Sequence, residues 1–184
     1  MACKTLTASR NKPCASSIAG IRAIGFGVFD PMNRIVTTNA GVVALSTKYA
    51  ANTIARFDVK NTTAKYLENG TKGADSNGKN VKGSVMLTLA IPPAIADHLA
   101  VTEIVDTMMD REWVCFIEYR DGTIVAAGSQ FGAEVLVADG DTGGTANDLN
   151  GYTVTISTDE SDYSRKYALS GAGLTDYATA LMDI

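Results

Sequence analysis

Three stretches of the chain carry residue types that could do chemistry. The first is "VADGDTGGTANDLNGYTVTI", Val137 to Ile156, where Asp139, Asp141, Asn147, Asp148 and Asn150 cluster around glycines. Asp139-x-Asp141-x-Gly143-Gly144 follows the opening of a calcium loop, with glycine where that loop turns sharply. Its fifth position, Gly143, has no side-chain ligand. Its twelfth, Asn150, cannot supply the bidentate carboxylate that completes a calcium shell. Strand-like flanks also replace the helices of such a loop. The reading that fits the residues is a strand-to-strand connection in which Asp and Asn make local turn bonds.

The second stretch, Gly73-Ala-Asp-Ser-Asn-Gly78-Lys79-Asn80, matches a phosphate-binding loop until its last position. Asn80 stands where a Ser or Thr hydroxyl would hold magnesium. "KYLENGTK" before it is polar, and a strand rather than a helix follows, so no helix N-terminus faces a phosphate. The third is the helix-like segment with His98, Glu103, Asp106 and Asp110. One histidine without Cys or Glu at ligand spacing makes neither a zinc site nor an acid–base pair. The three acids read as a solvated stripe. No nucleophile-elbow motif occurs. Cys3, Cys14 and Cys115 form neither a disulfide framework nor a Cys-x-x-Cys site and are expected to be free thiols. The expectation is a protein that is not an enzyme, with no catalytic residue, no cofactor and no metal.

The elements that hold these residues are mostly strands. "VKGSVMLTLAI" places Val81, Gly83, Val85, Leu87, Leu89 and Ile91 on one face, a sustained period of two. "EWVCFIEYRDGTIVAAG" alternates Trp113, Cys115, Ile117 and Tyr119 with Val114, Phe116, Glu118 and Arg120; Asp121-Gly122 then supplies the two left-handed positions of a tight hairpin. Trp113, with large alternation partners, reads as core rather than as a sugar-stacking platform. "GAEVLVAD" and "GYTVTIST" form another pair, with Tyr152, Val154 and Ile156 on one face. "GIRAIGFGVFD", "NRIVTT", "GVVAL" and "IARFDVKN" read as shorter strands. One substantial helix is predicted after Pro92-Pro93, about residues 93–110, with Ile95, Leu99, Val105 and Met109 inward and Val101, Ile104 and Met108 widening the arc. "GLTDYATALMDI" reads as a short helix or an ordered tail. Glu68 to Gly83 reads as a long mobile loop.

The whole is therefore expected to be mainly β: a β-sandwich or partly closed barrel with one flanking α-helix. The organisation is an N-terminal arm at 1–20, a β-sandwich domain at 21–167 and a C-terminal tail at 168–184. The chain has 184 residues, 46% of them hydrophobic, and a net charge of -4. That length buries an adequate core without staples. Sixteen basic residues scattered against twenty acidic ones form no stripe for phosphates, which argues against specific nucleic-acid binding. No apolar run approaches the ~18 residues of a membrane span, and the start lacks the apolar region of a signal peptide.

Two blocks carry a family resemblance. "MACKTLTASRNKPCASSIAGIRAIGFGVFD" resembles the opening of virion proteins of Bacteroidetes phages, including crAss-like phages, through Cys3, Cys14, Ile18, Gly20 and Ile21. "FIEYRDGTIVAAGSQFGAEVLVADGDTGGTANDLNGYTVTISTDE" is similar to the same group through Glu134-Val135, Gly143-Gly144, Asp148-Leu149 and Gly151-Tyr152-Thr153. The resemblance covers about half the chain; the helix region carries no matching motif, and "STDESDYSRKY" departs from the family's ending. It implies a tail-tube-like β-sandwich whose subunits build a tail tube or tail hub. It further implies a homo-oligomeric ring, six- or twelve-fold, stacked on other rings or on portal-proximal proteins in the virion tail after synthesis in the bacterial host's cytoplasm. DNA would pass through the lumen. The expected inter-subunit contact is the polar segment with Thr71, Lys72, Gly73, Asp75, Asn77, Gly78 and Lys79, ordering on contact with a neighbour. The rival expectation is a carbohydrate- or receptor-binding β-sandwich of a virion, presenting Trp113, Tyr119 and Tyr152 on a concave face.

Overall fold

The structure, a computed structural model, describes residues 20–32, 54–59, 63–72, 78–91, 95–145, 148, 150–161, 163 and 178–182. Among these residues it is mainly β with a single helix. The elements run β1 (Ile21–Val28), β2 (Ile54–Asp58), β3 (Ala64–Lys72), β4 (Lys79–Ala90), α1 (Ile95–Met109), β5 (Trp113–Tyr119), β6 (Ile124–Ala127), β7 (Ala133–Asp141), β8 (Gly151–Glu160) and β9 (Ala178–Met182). "NRIVTT", "GVVAL" and the expected arm before Gly20 lie outside the described residues.

The strands follow the path β3-β4-β8-β7-β5-β1-β2-β9, with β6 on β5. Every pairing is antiparallel except β2 with β9. The path is open, with β3 at one end and β9 at the other, so the sheet is not closed into a barrel. It is strongly folded all the same. β5 and β7 share one register pair, Trp113 with Ala133, because β6 occupies the rest of that edge, Cys115 to Glu118. After this junction β7 departs and pairs with β8. The two halves, β3-β4-β8-β7 and β6-β5-β1-β2, thereby turn their inner faces to one core. Val85, Leu87, Leu89, Val154 and Ile156 come from the first half; Ile24, Phe26, Phe57, Cys115 and Ile117 come from the second. Aliphatic and aromatic residues at period two on both contributors make that shared burial favourable.

β5 is buried on both faces: Val114 and Phe116 point away from this core and are as buried as Cys115 and Ile117. The hairpin after β5 differs from the two-residue turn predicted. Gly122 N–H donates to Tyr119 O (3.0 Å) and Tyr119 N–H to Thr123 O (2.8 Å). The turn centre is therefore Arg120-Asp121, and Gly122 follows in the left-handed region at φ 84°, a three-residue hairpin loop closed by a bulge.

Three other expectations are corrected. Glu68–Lys72 and Lys79–Gly83 are strand rather than loop: β3 and β4 pair in register from Ala64 with Leu87 out to Lys72 with Lys79, and residues 73–77 lie outside the described residues. The sequence hides this pairing because the outer part of this hairpin extends past the core and needs no apolar face; backbone bonding to β4, itself held by β8, suffices. Of the two readings of "GLTDYATALMDI", the helix is overturned and an ordered segment is found: Ala178–Met182 is a strand. The ladder of β2 overrides the helix propensity of Ala, Leu and Met. The inner stripe of α1 is Val101, Val105 and Met108, whereas Leu99 is 62% and Met109 54% exposed. The flanking sheet reaches one side of the helix, so the wider arc read from the sequence is only partly covered.

Trp113 ties these parts together. Its ring is buried, meets Phe26 edge-on at 6.3 Å, and its Nε1–H donates to Met108 O (2.8 Å) at the end of α1. Trp113→Phe is expected to cost about 1–3 kcal/mol, since the Met108 carbonyl loses its donor and the smaller ring leaves a void. Leu99→Ala, on the exposed side, is expected to stay within about 0.5 kcal/mol. Urea denaturation of the two variants beside the parent measures both.

Candidate functional site

The acid-and-glycine segment of Val137 to Ile156 splits in place. Asp139 and Asp141 end β7, opposite Thr153 and Gly151 of β8. Beyond them the carboxylates fold the connection back. Asp141 Oδ1 accepts from Gly143 N–H (2.8 Å), and Asp148 Oδ2 accepts from Gly144 N–H (2.9 Å) and Thr145 N–H (2.7 Å). Bonds from Gly144 and Thr145 hold the Asp148 carboxyl below its ordinary range. Gly143 takes φ 67°, a left-handed turn position. These carboxylates do the work of turn formation, as expected from the sequence. Asn147 lies outside the described residues.

Gly78 and Lys79 of the phosphate-loop-like segment stand at the start of β4, a strand that runs on to Ala90. The strand that precedes the segment, β3, is polar, as read from "KYLENGTK". The geometry is a hairpin end, not a strand-to-helix turn. The exposed Glu103 and Asp106 lie on α1's outer side; nothing is described of the His98 side chain. Burial pushes the Cys115 thiol far above its ordinary range, which leaves it protonated and unreactive.

The densest charge cluster was not legible in the sequence, because its members are far apart along the chain. Glu118 on β5 and Arg56 on β2, both buried, face the side away from the shared core. Arg22 Nη1 lies 3.1 Å from Glu118 Oε1, Arg56 Nη2 lies 2.7 Å from Asp58 Oδ1, and 3.9 Å separates Arg56 Nη2 from Glu118 Oε2. Two cations balance two carboxylates. Removing one member would strand a buried charge, so the cluster locks β1, β2 and β5 rather than offering a free acid or base. A cleft of about 320 Å³ opens between α1 and the β1–β2 pair, lined by Phe26, Ala55, Arg56, Phe57, Met108 and Trp113 with Glu103, Ile104 and Thr107 at its helix wall. Its lining is mainly apolar, and Arg56 is already engaged with Asp58.

Glu160 is the other buried acid among the described residues. It sits at the end of β8 with its carboxylate in the turn between β6 and β7, where Oε1 accepts from Gln130 N–H (3.3 Å) and the Ser129 and Gly128 backbone adds further bonds. Burial outweighs these bonds and, with Glu68 nearby, pushes the carboxyl up to about 7. The residue thus pins the turn that folds the sheet.

The candidate contact residues lie at the outer end of the β3–β4 hairpin. Thr71, Lys72, Gly78 and Lys79 are all exposed. Gly73, Asp75 and Asn77 lie outside the described residues. Thr71 Oγ1 bonds Asn80 O (3.4 Å), and Lys79 Nζ sits 6.0 Å from the Tyr163 ring centre. The aromatic face of the rival reading is not assembled: Trp113 is buried and engaged with Met108, and Tyr119 and Tyr152 are half-buried against the core. Among the described residues no helix is long and apolar enough to cross a membrane. Comparison with protein-family models, curated proteins and solved structures returns no match.

Two outcomes test this assignment of roles. A folded carboxyl raised above its ordinary 4.5 to about 7 binds a proton more tightly than the unfolded chain does. Its contribution is therefore full below about pH 4.5 and declines as pH rises to about 7. Melting temperature is expected to fall across that window, and Glu160→Gln is expected to flatten the decline; an unchanged slope in the variant contradicts the role. Separately, millimolar calcium is expected to leave the melting temperature unmoved, whereas Asp148→Ala loosens the 141–150 connection, seen as faster amide exchange at Gly144 and Thr145.

Proposed function

We propose that this chain is a structural subunit of a bacteriophage virion tail, a tube or hub component that works by assembling with copies of itself into a ring around a DNA channel. The observation that carries the reading is the free end of the sheet. β3 is nine residues long and forms the outer edge, and among the described residues no strand covers it. Its outer end, with β4, projects past the core as an exposed polar hairpin. A long uncovered edge is an aggregation hazard in a monomer. In a ring, unlike surfaces of neighbouring copies meet and close, and the hazard becomes the contact. The use of the Asp141 and Asp148 carboxylates in turn bonds, and of Glu118 in an ion cluster, also fits a protein that acts by shape rather than on a substrate. The resemblance of the Cys3–Ile21 and Glu134–Thr153 blocks to phage virion proteins supplies the tail context, including localisation to the virion, ring stacking and other tail or portal-proximal neighbours. The net charge of -4 suits a channel that DNA passes without sticking.

The hairpin end gives the test. Residues 71–80 can be replaced by Asn-Gly, a two-residue turn that closes Gly70 onto its partner Val81. The described residues removed are exposed, so circular dichroism and melting temperature should stay near those of the parent. Sedimentation velocity of the full chain is expected to show six- or twelve-fold assemblies in the parent and their loss in the replacement. A parent that stays monomeric and is missing from purified particles by mass spectrometry would reject the reading.

A further inference from the structure

The sheet has a second surface that the ring reading does not use. In the half β3-β4-β8-β7, the face turned away from the core is organised in rows across four strands. Lys65, Met86, Thr155 and Val137 form one row; Leu67, Ser84, Ser157 and Glu134 form the next; Asn69, Lys82 and Asp159 form a third. Four apolar side chains stand in solvent near its centre: Leu67 (46% exposed), Met86 (42%), Leu136 (60%) and Val137 (42%). Leu67 and Met86 are diagonal neighbours. Leu136 and Val137 both point outward because the β7 register shifts between Val135 and Val137, a bulge that re-aims a side chain. A sheet face that stays in water is normally polar-out. Here the two central strands carry Met86, Ser84, Thr155 and Ser157 outward, with charge on them in the Lys82–Asp159 row.

The charges are sorted by sign across the order β3-β4-β8-β7, and Lys82 of β4 stands directly opposite Asp159 of β8 on the two central strands. Lys65 and Lys82 stand on β3 and β4; Glu134 and Asp159 stand on β7 and β8. Such a face is complementary to itself. A half-turn about an axis running along the strands brings the basic side of one copy over the acidic side of another. It keeps each row facing its own equivalent. Lys82 then meets the second copy's Asp159 and Met86 its Thr155, while Lys65 lies over its Val137 and Leu67 over its Glu134, one row from Lys65 along the strand. Exposed apolar patches of this kind mark association surfaces, and opposite charges across them fix partner and register.

We propose that the outer face of β3-β4-β8-β7 packs on the same face of a second copy of this chain across a two-fold axis roughly parallel to the strands. This contact is isologous, so it is distinct from the unlike surfaces that close a ring, and it doubles whatever assembly the edge contacts build.

Sedimentation equilibrium of the full chain at low salt, with Met86→Arg and Val137→Arg beside the parent, tests it. Both positions are exposed, and circular dichroism checks that both variants fold. The parent is expected to sediment as an even-numbered assembly and each variant at half its mass. Lys65→Glu is expected to weaken the association on the order of tenfold, and Lys65→Glu with Glu134→Lys to restore it; raised salt should weaken the parent in the same direction. A parental mass untouched by both arginine substitutions overturns the inference. So does a monomeric parent at about 100 μM, a concentration far above the Kd of a specific contact, which would leave the face to a different protein. The hairpin replacement leaves this face whole. A dimer that survives that replacement supports the face even if rings never form, and rings indifferent to Met86→Arg reject the face while the ring reading stands.

Discussion

The architecture depends on one junction, the single register pair between Trp113 and Ala133. β6 returns along β5 and takes the edge that β7 would otherwise extend. β7 can therefore touch β5 at one position before it must leave, and β8 is the strand it finds. The turn that makes this possible runs through Gly128 at φ 75° and Gly132 at φ 84°, closed by a bond from Gly132 N–H to Gly128 O (3.1 Å). At Gly128 an added Cβ would sit 2.8 Å from Ala133 Cβ and 2.9 Å from Trp113 O, so both the left-handed backbone and the close packing exclude larger residues. Because the sheet folds here, two amphipathic half-sheets bury one common core. Trp113 also carries the end of α1, and Glu160 reaches into the turn from β8. Sheet corner, helix end and buried carboxylate are thus held at a single place.

Folding the sheet in this way leaves its ends far apart in pairing order and its two extremes uncovered by each other. The β3–β4 hairpin is supported along its base by β8, and beyond the core it persists on backbone bonding and polar cross-strand pairs. The charged groups that could have suggested chemistry are drawn into structural duties: Asp141 and Asp148 shape a connection, Glu118 and Arg56 bind three strands together, Glu160 fixes a turn. Among the described residues the exposed features include the β3 edge, the outer end of the hairpin and the outward face of β3-β4-β8-β7.

Much of this was legible in the sequence where burial imposes a period. Val81 to Ile91 and Tyr152 to Ile156 alternate because one side of each must face the core, Trp113 to Ile117 is apolar on both sides because both are buried, and all three stretches lie on strands. Pro92-Pro93 and the spacing that follows give the helix to within two residues. The misreadings fall where that pressure lapses. Glu68 to Lys72 is polar on both faces, so a strand there looks like a loop. Ala178 to Met182 favours a helix by composition, but the ladder on β2 decides. Leu99 and Met109 fit the helical spacing yet face solvent, because periodicity cannot tell how wide the opposing surface is. The ion cluster was hidden for a different reason: Arg22, Arg56 and Glu118 become neighbours only through the order β5-β1-β2, which no local pattern encodes. The outward pair Leu136-Val137 depends on a bulge that alternation alone would not place. The turn role of Asp141 and Asp148, in contrast, was legible from Asp and Asn set among glycines between two strands.

Imaging the assembled material at side-chain resolution tests the central claim most directly. The account predicts closed rings in which the uncovered edge of β3 and the adjoining hairpin lie against a neighbouring copy, while the 141–150 connection keeps its own turn bonds. An isolated subunit whose 139–150 segment holds an ion or small molecule, with the β3 edge facing only water, would contradict it.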